Sequence, residues 1–209
     1  MKYFLMLIQY VKINIIFYHI YGMYLAYKNL NTILKTVCLK KRFAAINLLE
    51  KQHTKLFNLA KRMDSMFGLH ILLSTMSNSI SFIYYVNLDV NFTWLYKNIS
   101  TYSILQLVTN FVLVFALLVW PVLVIFACEW MTSESQKLVV LCYELQENFP
   151  VFSEEKQALL NLANHVQVTK PTITAGGFFE LNCKLIFGLF GTITTYFFII
   201  MQFNSAMDN

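Results

Sequence analysis

The chain has 209 residues, of which 57% are hydrophobic and only 13% carry a charge, whereas an ordinary soluble domain carries about 25% charged residues. With a mean hydropathy of +0.54, this composition predicts an all-α, polytopic membrane bundle, because helices satisfy their own backbone hydrogen bonds in lipid. The net charge of +5 does not indicate a nucleic-acid partner, because no nucleic-acid-binding motif accompanies the basic residues.

Four apolar segments predict four transmembrane helices in one bundle that comprises residues 1–209, since about 20 apolar residues cross a bilayer. The spans are approximately residues 3–27, 63–87, 103–128 and 185–203. The first span is the weakest because it contains Lys12 and His19. The third is the strongest, and its Pro121 predicts a bend.

The lysine and arginine residues predict the orientation of these spans. Nine of the 16 lie between Lys28 and Arg62, and such an excess is typical of a cytosolic loop. If the spans alternate, loops 28–62 and 129–184 are cytosolic and hold nine plus four of these residues, whereas the outside holds two. The loop 88–102 and the C-terminus are therefore predicted to be extracellular.

Two glycosylation sequons agree with this orientation. Asn91-Phe92-Thr93 and Asn98-Ile99-Ser100 both fall in the predicted outer loop, so Asn91 and Asn98 are candidate acceptors. Sequons are common by chance, so they add only modest support.

No arrangement of residues predicts catalysis, a metal or a cofactor. The four histidines are scattered along the chain: His19, His53, His70 and His165. A metal site needs converging ligands, and no catalytic triad or phosphate-binding loop is present, so an enzyme is not expected. The four cysteines form no CxxC pair, lie on the cytosolic side or at its border, and are expected to be reduced: Cys38, Cys128, Cys142 and Cys183.

The long inner segment predicts helical structure outside the membrane. The third span is expected to continue into the cytosol, turn near Pro150 and return through an amphipathic helix. Thr132 and Ser153 are the predicted N-caps. Leu159, Ala163 and Val166 recur at helical spacing on the returning helix.

The last span carries a stripe of small and polar residues. On a helix, one arc of roughly 80° holds Gly188, Thr192, Thr195, Ile199 and Gln202. Bulky apolar residues lie on the opposite side, at Phe190, Ile193, Phe197 and Ile200. The stripe is consistent with helix packing, or with a pore wall in which several copies face a common axis. The pattern alone leaves both interpretations open.

The end of this span carries a resemblance to a known family. Thr195-Tyr196, five apolar residues and then Gln202-Phe203 match the C-terminal TYhhhhhQF signature of insect gustatory receptors. Met66-Phe67-Gly68 in the second span, and Pro171 followed by Gly177-Phe178-Phe179 before the last, agree with it. The whole chain resembles the C-terminal half of that family, within the insect chemoreceptor superfamily.

This resemblance implies a seven-helix receptor with an intracellular N-terminus that forms a tetrameric, ligand-gated, non-selective cation channel in the plasma membrane. The four spans would be helices four to seven, so the chain would be a fragment that lacks the first three. By position, Gln202 would form a polar ring near the gate, and Ile199 or Phe203 the hydrophobic constriction. Thr195 and Tyr196 would support the pore.

The resemblance also implies a small-molecule tastant, and other gustatory receptor subunits as partners in a homo- or hetero-tetramer within membrane lipid. The family's ligand pocket lies among the outer halves of several helices. The residues of this chain in that region that could contact a ligand are Ser81, Tyr84, Tyr85, Gln106 and Asn110. For each of them, structural hydrogen bonding is the alternative role.

Two other functions remain open at this stage. The first is a non-channel, four-span structural or trafficking protein whose stripe only packs helices. The second is a fragment of a G-protein-coupled receptor, which predicts an intracellular C-terminus.

Overall fold

In the computed structural model, the residues described are 2–39, 45–95 and 101–207. They form five helices: α1 (Lys2–Leu39), α2 (Ile46–Leu95), α3 (Thr101–Gln146), α4 (Glu154–Val168) and α5 (Cys183–Met207). Within this part of the chain the only β pairing is one isolated bridge, between Thr174 and Glu180. The all-α prediction is therefore confirmed.

Helices α1 and α3 pack side by side in the same direction. The Tyr10 and Trp120 rings meet edge-on at 4.8 Å near one end, whereas the Asn31 amide donates to the Glu134 carbonyl oxygen at 3.0 Å near the other. Helix α2 runs antiparallel to both, since Tyr27 of α1 lies beside His53, near the start of α2. Alternating membrane spans require these relative directions.

The segment 28–62, predicted from the sequence as a cytosolic loop, is mostly helical where the structure describes it. Helix α1 continues to Leu39 and α2 begins at Ile46. The buried positions recur every three or four residues: Leu30, Leu34, Val37, Ile46, Leu49, His53, Ala60 and Met63. Lysines occupy the other faces of these helices, so the basic composition obscured a helical pattern.

Two predictions for the inner segment 129–184 are confirmed. Helix α3 continues to Gln146 and the chain returns through α4, whose N-cap is Ser153; its hydroxyl accepts a hydrogen bond from Lys156 N at 3.2 Å. The residues expected on the inner face of α4 are buried. The N-cap at Thr132 is wrong, because Thr132 lies inside α3 and donates to the Pro171 carbonyl oxygen at 3.1 Å.

The outer connection is shorter than expected from the sequence. Residues 88–95 belong to α2 and α3 begins at Thr101, so Asn91 lies near the end of a helix. The second predicted acceptor, Asn98, lies outside the described residues. All four cysteines fall in the described part of the chain and are free.

Among the described residues, the segment Ile46–Tyr84 is long and apolar enough to cross a membrane, with a hydropathy of 1.3, and Cys183–Ile199 is a shorter apolar helix. Five charged residues precede Met63 on α2: Glu50, Lys51, Lys55, Lys61 and Arg62. The apolar part of α2 therefore begins near Met63, where the sequence places the second span.

Candidate pore helix and its attachment

The first turns of helix α5 are attached to the rest of the bundle. The Asn182 side chain accepts a hydrogen bond from Leu185 N at 3.3 Å, and Leu185 and Ile186 pack against the core. Among the described side chains from Phe187 to Phe203, only Leu189 is half-buried and all others are exposed. At about 1.5 Å per residue the 25 residues of α5 span roughly 38 Å, and the described side chains along most of this length are exposed.

The five residues predicted from the sequence to form the pore all lie on this exposed part of α5. The helix is continuous, so Thr195, Ile199 and Gln202 share one face. Tyr196 is 38% exposed and Phe203 is 67% exposed. The structure therefore groups these residues on one accessible helix, whereas their roles in a pore stay a prediction.

The threonine hydroxyls of α5 donate hydrogen bonds to backbone carbonyl oxygens of the same helix. Thr192 donates to the carbonyl oxygen of Gly188 at 2.9 Å, and Thr195 donates to that of Gly191 at 2.9 Å. A hydroxyl has one hydrogen and two lone pairs, so the lone pairs remain available on the exposed surface. This stripe can accept hydrogen bonds from water or coordinate a cation.

A compact turn, residues 173–181, connects α4 to α5; we call it the attachment turn. Leu181 N donates to the Ile173 carbonyl oxygen at 2.9 Å, and Ala175 N donates to that of Phe179 at 2.9 Å. Gly176 and Gly177 have φ values of 61° and 78°, which glycine adopts at little cost because it has no Cβ.

The attachment turn binds directly to α2. The Asp64 Oδ1 atom accepts hydrogen bonds from Thr174 N at 2.6 Å and from the Thr174 hydroxyl at 2.8 Å. One turn further along α2, a Cβ on Gly68 would lie 3.1 Å from both Gly176 N and the Thr174 carbonyl oxygen. Gly68, the glycine of the first upstream motif piece, therefore lies where the attachment turn meets α2, against the residue that precedes Gly177 of the second piece.

Helix α3 holds the start of α5 from another side. The Glu129 Oε2 atom accepts a hydrogen bond from Cys183 N, the first residue of α5, at 3.2 Å. The attachment turn and α5 are thus bound to both α2 and α3, so a relative movement of these two helices would move α5.

The predicted ligand pocket is only partly covered by the structure. Ser81 is half-buried and Tyr84 is exposed, whereas the side chains of Tyr85, Gln106 and Asn110 lie outside the described residues. Their role stays a prediction.

A partly open cavity lies deeper along α2. It has a volume of about 30 Å³ among aliphatic side chains of α1, α2 and α3, and it reaches Leu181 and Leu185 beside α5. The His70 Nε2 and Ser74 Oγ atoms are buried there without hydrogen-bond partners among the residues that the structure describes. A water needs about 10–15 Å³, so the cavity has room for about two waters between these atoms.

A pair of histidines that the sequence did not indicate lies where the start of α2 meets α4. His53 of α2 is fully buried and its ring centroid lies 5.7 Å from that of His165 on α4. The sequence could have indicated that His53 is buried, because His53 falls at helical spacing with the apolar residues Leu49 and Ala60 of α2. The described residues contain no group of three His, Cys, Asp or Glu side chains that could hold a metal ion.

The hydrogen bonds around His53 determine its tautomer. Its Nε2 atom lies 2.8 Å from the Thr169 hydroxyl oxygen, and that hydroxyl already donates to the His165 carbonyl oxygen at 2.6 Å. The His53 Nε2 atom must therefore carry the hydrogen and donate. Its Nδ1 atom is buried and has no partner within the described part of the chain, so protonation would leave a buried N–H unpaired. Burial, followed by repulsion from His165, lowers the pKa of His53 to about 4.

The stability of the protein is expected to fall below pH 6.5. Because the folded pKa of His53 is below its unfolded value, the unfolded chain binds the proton more tightly, so acid favours unfolding between pH 6.5 and 4. At pH 5 the loss amounts to about 2 kcal/mol. The melting temperature of the full-length protein in detergent, measured between pH 7.5 and 5, tests this expectation.

His53→Gln is the matched control, because its amide can still donate to Thr169 but does not titrate. The groups that face His53 are Tyr27, Thr169 and His165, and Glu50 lies 3.9 Å from the His165 ring. The melting temperature of the variant is expected to depend less on pH than that of the native protein. Equal pH dependence in both proteins would contradict the role of His53.

The pattern of the family described as 7tm chemosensory receptor matches residues 1–207. The chain belongs to the 7tm chemosensory receptor family. It is therefore a membrane protein, and the assignment to the insect chemoreceptor superfamily made from the TYhhhhhQF ending is confirmed.

One relative in sequence and one solved structure agree with this family assignment. Gustatory receptor family protein 3 of Caenorhabditis elegans is 30% identical over 114 residues, which cover 52% of this chain and 24% of that protein. The structure of the insect olfactory receptor OR5 from Machilis hrabei in complex with eugenol matches with a TM-score of 0.59 at 12% identity, covering 76% of this chain and 39% of that one. This likeness confirms the fold, and the chain spans well under half the length of either chemosensory relative.

Proposed function

We propose that this chain is the C-terminal part of a gustatory receptor subunit that acts as a ligand-gated, non-selective cation channel in the plasma membrane. The observation that carries the proposal is that the TYhhhhhQF ending lies on an exposed helix. Beyond Ile186, the described side chains of this helix are exposed except for the half-buried Leu189. Four copies, or copies with related subunits, would cover this helix by turning its stripe toward a common axis.

The chemistry of the stripe suits weakly selective cation conduction. No acidic or basic residue occurs between Leu185 and Phe203, so a pore lined by this segment has no ring of fixed charge. Threonine oxygens and the Gln202 amide would contact hydrated cations. Ile199 or Phe203 would close the pore by excluding water from a hydrophobic constriction.

The ligand would be a small molecule from outside the cell that binds among the outer parts of α1, α2 and α3, where Ser81 and Tyr84 lie. The olfactory receptor of Machilis hrabei is likewise bound to a small molecule, eugenol. Ligand binding would shift α2 relative to α3, and the bonds from Asp64 and Glu129 would carry that shift to α5. In this orientation the C-terminus, Asn91 and Asn98 are extracellular.

Substitutions on α5 of the full-length receptor test the pore. Gln202→Glu places a ring of carboxylates in the proposed pore, so the permeability to Ca²⁺ relative to Na⁺ is expected to rise several-fold. Ile199→Ser weakens the hydrophobic constriction and is expected to raise the current without ligand. Whole-cell reversal potentials and basal currents measure both effects.

Phe197→Leu, on the opposite face, is the matched control and is expected to change neither quantity. An epitope tag after Asn209 that is reached in unpermeabilised cells reports surface delivery and an extracellular C-terminus together. Unchanged permeability and basal current in both stripe variants, with normal surface delivery, would exclude the pore and favour a stripe that only packs helices.

A further inference from the structure

A charged groove of about 350 Å³ lies between α1 and α3, at the end of the first span that the basic residues predict to be cytosolic. Its polar lining comes from one face of each helix: Lys28, Asn31, Thr32 and Lys35 of α1, and Glu134, Lys137 and Glu144 of α3. It is separate from α5, and no part of the proposed gating movement uses it.

Aromatic side chains locate this groove relative to the bilayer. The Tyr24 and Trp130 rings lie 6.1 Å apart across α1 and α3, and Trp130 is 45% exposed. Exposed tryptophan and tyrosine are enriched at the membrane–water interface. Lys28 and Glu134 each follow one of these rings by one helical turn, so the groove begins just below the interface, at the depth of the lipid headgroups.

The groove has an excess of positive charge, with three lysines and two glutamates. The Lys137 ammonium is paired with Glu134 at 2.6 Å. Burial opposes ionisation of Glu134, but hydrogen bonds from Lys137 and then Asn31 keep its pKa below the usual value. Lys28 and Lys35, seven residues apart on one face of α1, form no ion pair with any residue that the structure describes. These two ammonium groups are available to an anion.

The groove also presents unused hydrogen-bond acceptors. The Asn31 amide donates to Glu134, but its Oδ1 atom is buried and has no partner among the described residues. Asn31 itself is 7% exposed. The Glu144 carboxylate lines the same space. Acceptors of this kind require hydroxyl or amine donors from a ligand.

We propose that this groove binds the headgroup of an anionic phospholipid of the cytosolic leaflet, one whose phosphate carries a polyol such as inositol. The phosphate would lie between Lys28 and Lys35, and a polyol hydroxyl would donate to Asn31 Oδ1. A simple anion would leave Asn31 unsatisfied, whereas a phosphorylated polyol satisfies both kinds of group. The acyl chains would pass the Tyr24 and Trp130 rings into the bilayer. Basic sites just inside the membrane commonly bind such headgroups.

The test uses the full-length receptor purified in detergent and dioctanoyl phosphatidylinositol as the probe, with melting temperature as the measure of binding. This lipid is expected to raise the melting temperature in a saturable way, whereas dioctanoyl phosphatidylcholine is not. The double variant Lys28→Gln/Lys35→Gln is expected to weaken binding about 30-fold, which is about 2 kcal/mol, since each lysine near an anionic headgroup contributes about 1 kcal/mol.

The matched control is Lys156→Gln/Lys170→Gln, which removes the same charge from residues that do not line the groove. It is expected to bind the lipid as the native protein does. Asn31→Leu is expected to weaken binding of phosphatidylinositol but not of dioctanoyl phosphatidic acid, which has no polyol.

Three outcomes would overturn the proposal: equal stabilisation by phosphatidylcholine, equal losses in the two lysine double variants, or binding of free inositol 1-phosphate as tight as that of the lipid. The melting temperature of each variant without lipid verifies its folding. Because the readout is binding, the result does not depend on whether the receptor conducts ions.

Discussion

Gly68→Val is expected to detach the attachment turn from α2 and to abolish ligand-evoked current in the full-length receptor. A Cβ at this position would lie 3.1 Å from Gly176 N and from the Thr174 carbonyl oxygen. Both are backbone atoms, which cannot rotate away as a flexible side chain can. Valine adds two further methyl groups, so the turn must shift, and overpacking of this kind costs about 1–3 kcal/mol.

The effect is measured as the melting temperature of the purified receptor and as ligand-evoked current in cells. Gly22→Val on α1 is the matched control, because a Cβ on Gly22 meets nothing within 4 Å. Both substitutions change helix propensity in the same direction and by a similar amount, so the difference between the variants reports the contact with the turn. Equal effects of the two substitutions would show that the close approach at Gly68 is unimportant.

Gly68→Ala separates the close contact from the cost of a branched side chain. Alanine favours helix over glycine by about 1 kcal/mol, but its Cβ would make the same 3.1 Å contacts. We expect the contacts to outweigh the propensity, so that Gly68→Ala lowers the melting temperature while Gly22→Ala raises it slightly.

Asp64→Ala is expected to weaken the same junction by removing both hydrogen bonds to Thr174. Hydrogen bonds to a charged group contribute about 1.5–3 kcal/mol each, and the Thr174 N–H loses its partner in the variant. The expected results are a lower melting temperature and a higher ligand concentration for half-maximal current. Asp64→Asn retains an acceptor oxygen and is expected to have a smaller effect.

A double-mutant cycle distinguishes this bond from general damage to α2. Thr174→Val removes the hydroxyl, which donates to Asp64 at 2.8 Å and accepts from Gly177 N at 3.0 Å, whereas Thr174→Ser retains both bonds. If Asp64 and Thr174 act as a pair, the losses in Asp64→Ala and Thr174→Val are coupled, and their sum exceeds the loss in the double variant. Strictly additive losses, or a Thr174→Ser variant as impaired as Thr174→Val, would contradict the pairing.

Predictions that rest on local patterns succeeded. The N-cap at Ser153 and the buried face of α4 follow from residues within one or two helical turns of each other. The end of the chain also carries a contiguous signature that resembles insect gustatory receptors, and the family match over residues 1–207 agrees with this resemblance. The lysine-rich segment 28–62 was interpreted from its composition and not from the spacing of its apolar residues, so its helices were not predicted.

The candidate site could be located only in part from the sequence. The stripe on α5 follows from helical spacing, but the way α5 is attached does not. In the sequence, Asp64 is a single acidic residue beside Arg62 at the start of the second span, and Thr174 directly precedes Ala175-Gly176-Gly177. Nothing in their immediate neighbourhoods indicates that they bind each other.

The amino-acid sequence by itself determined the all-helical membrane class, the family and the polar face of the last helix, because these depend on composition, spacing and short contiguous motifs. Only the tertiary structure paired Asp64 with Thr174, His53 with His165, and Lys28 with the α3 face that carries Lys137. Each of these pairs joins residues more than 100 positions apart. The packing of whole helices brings such residues together, and no local preference of the backbone encodes it.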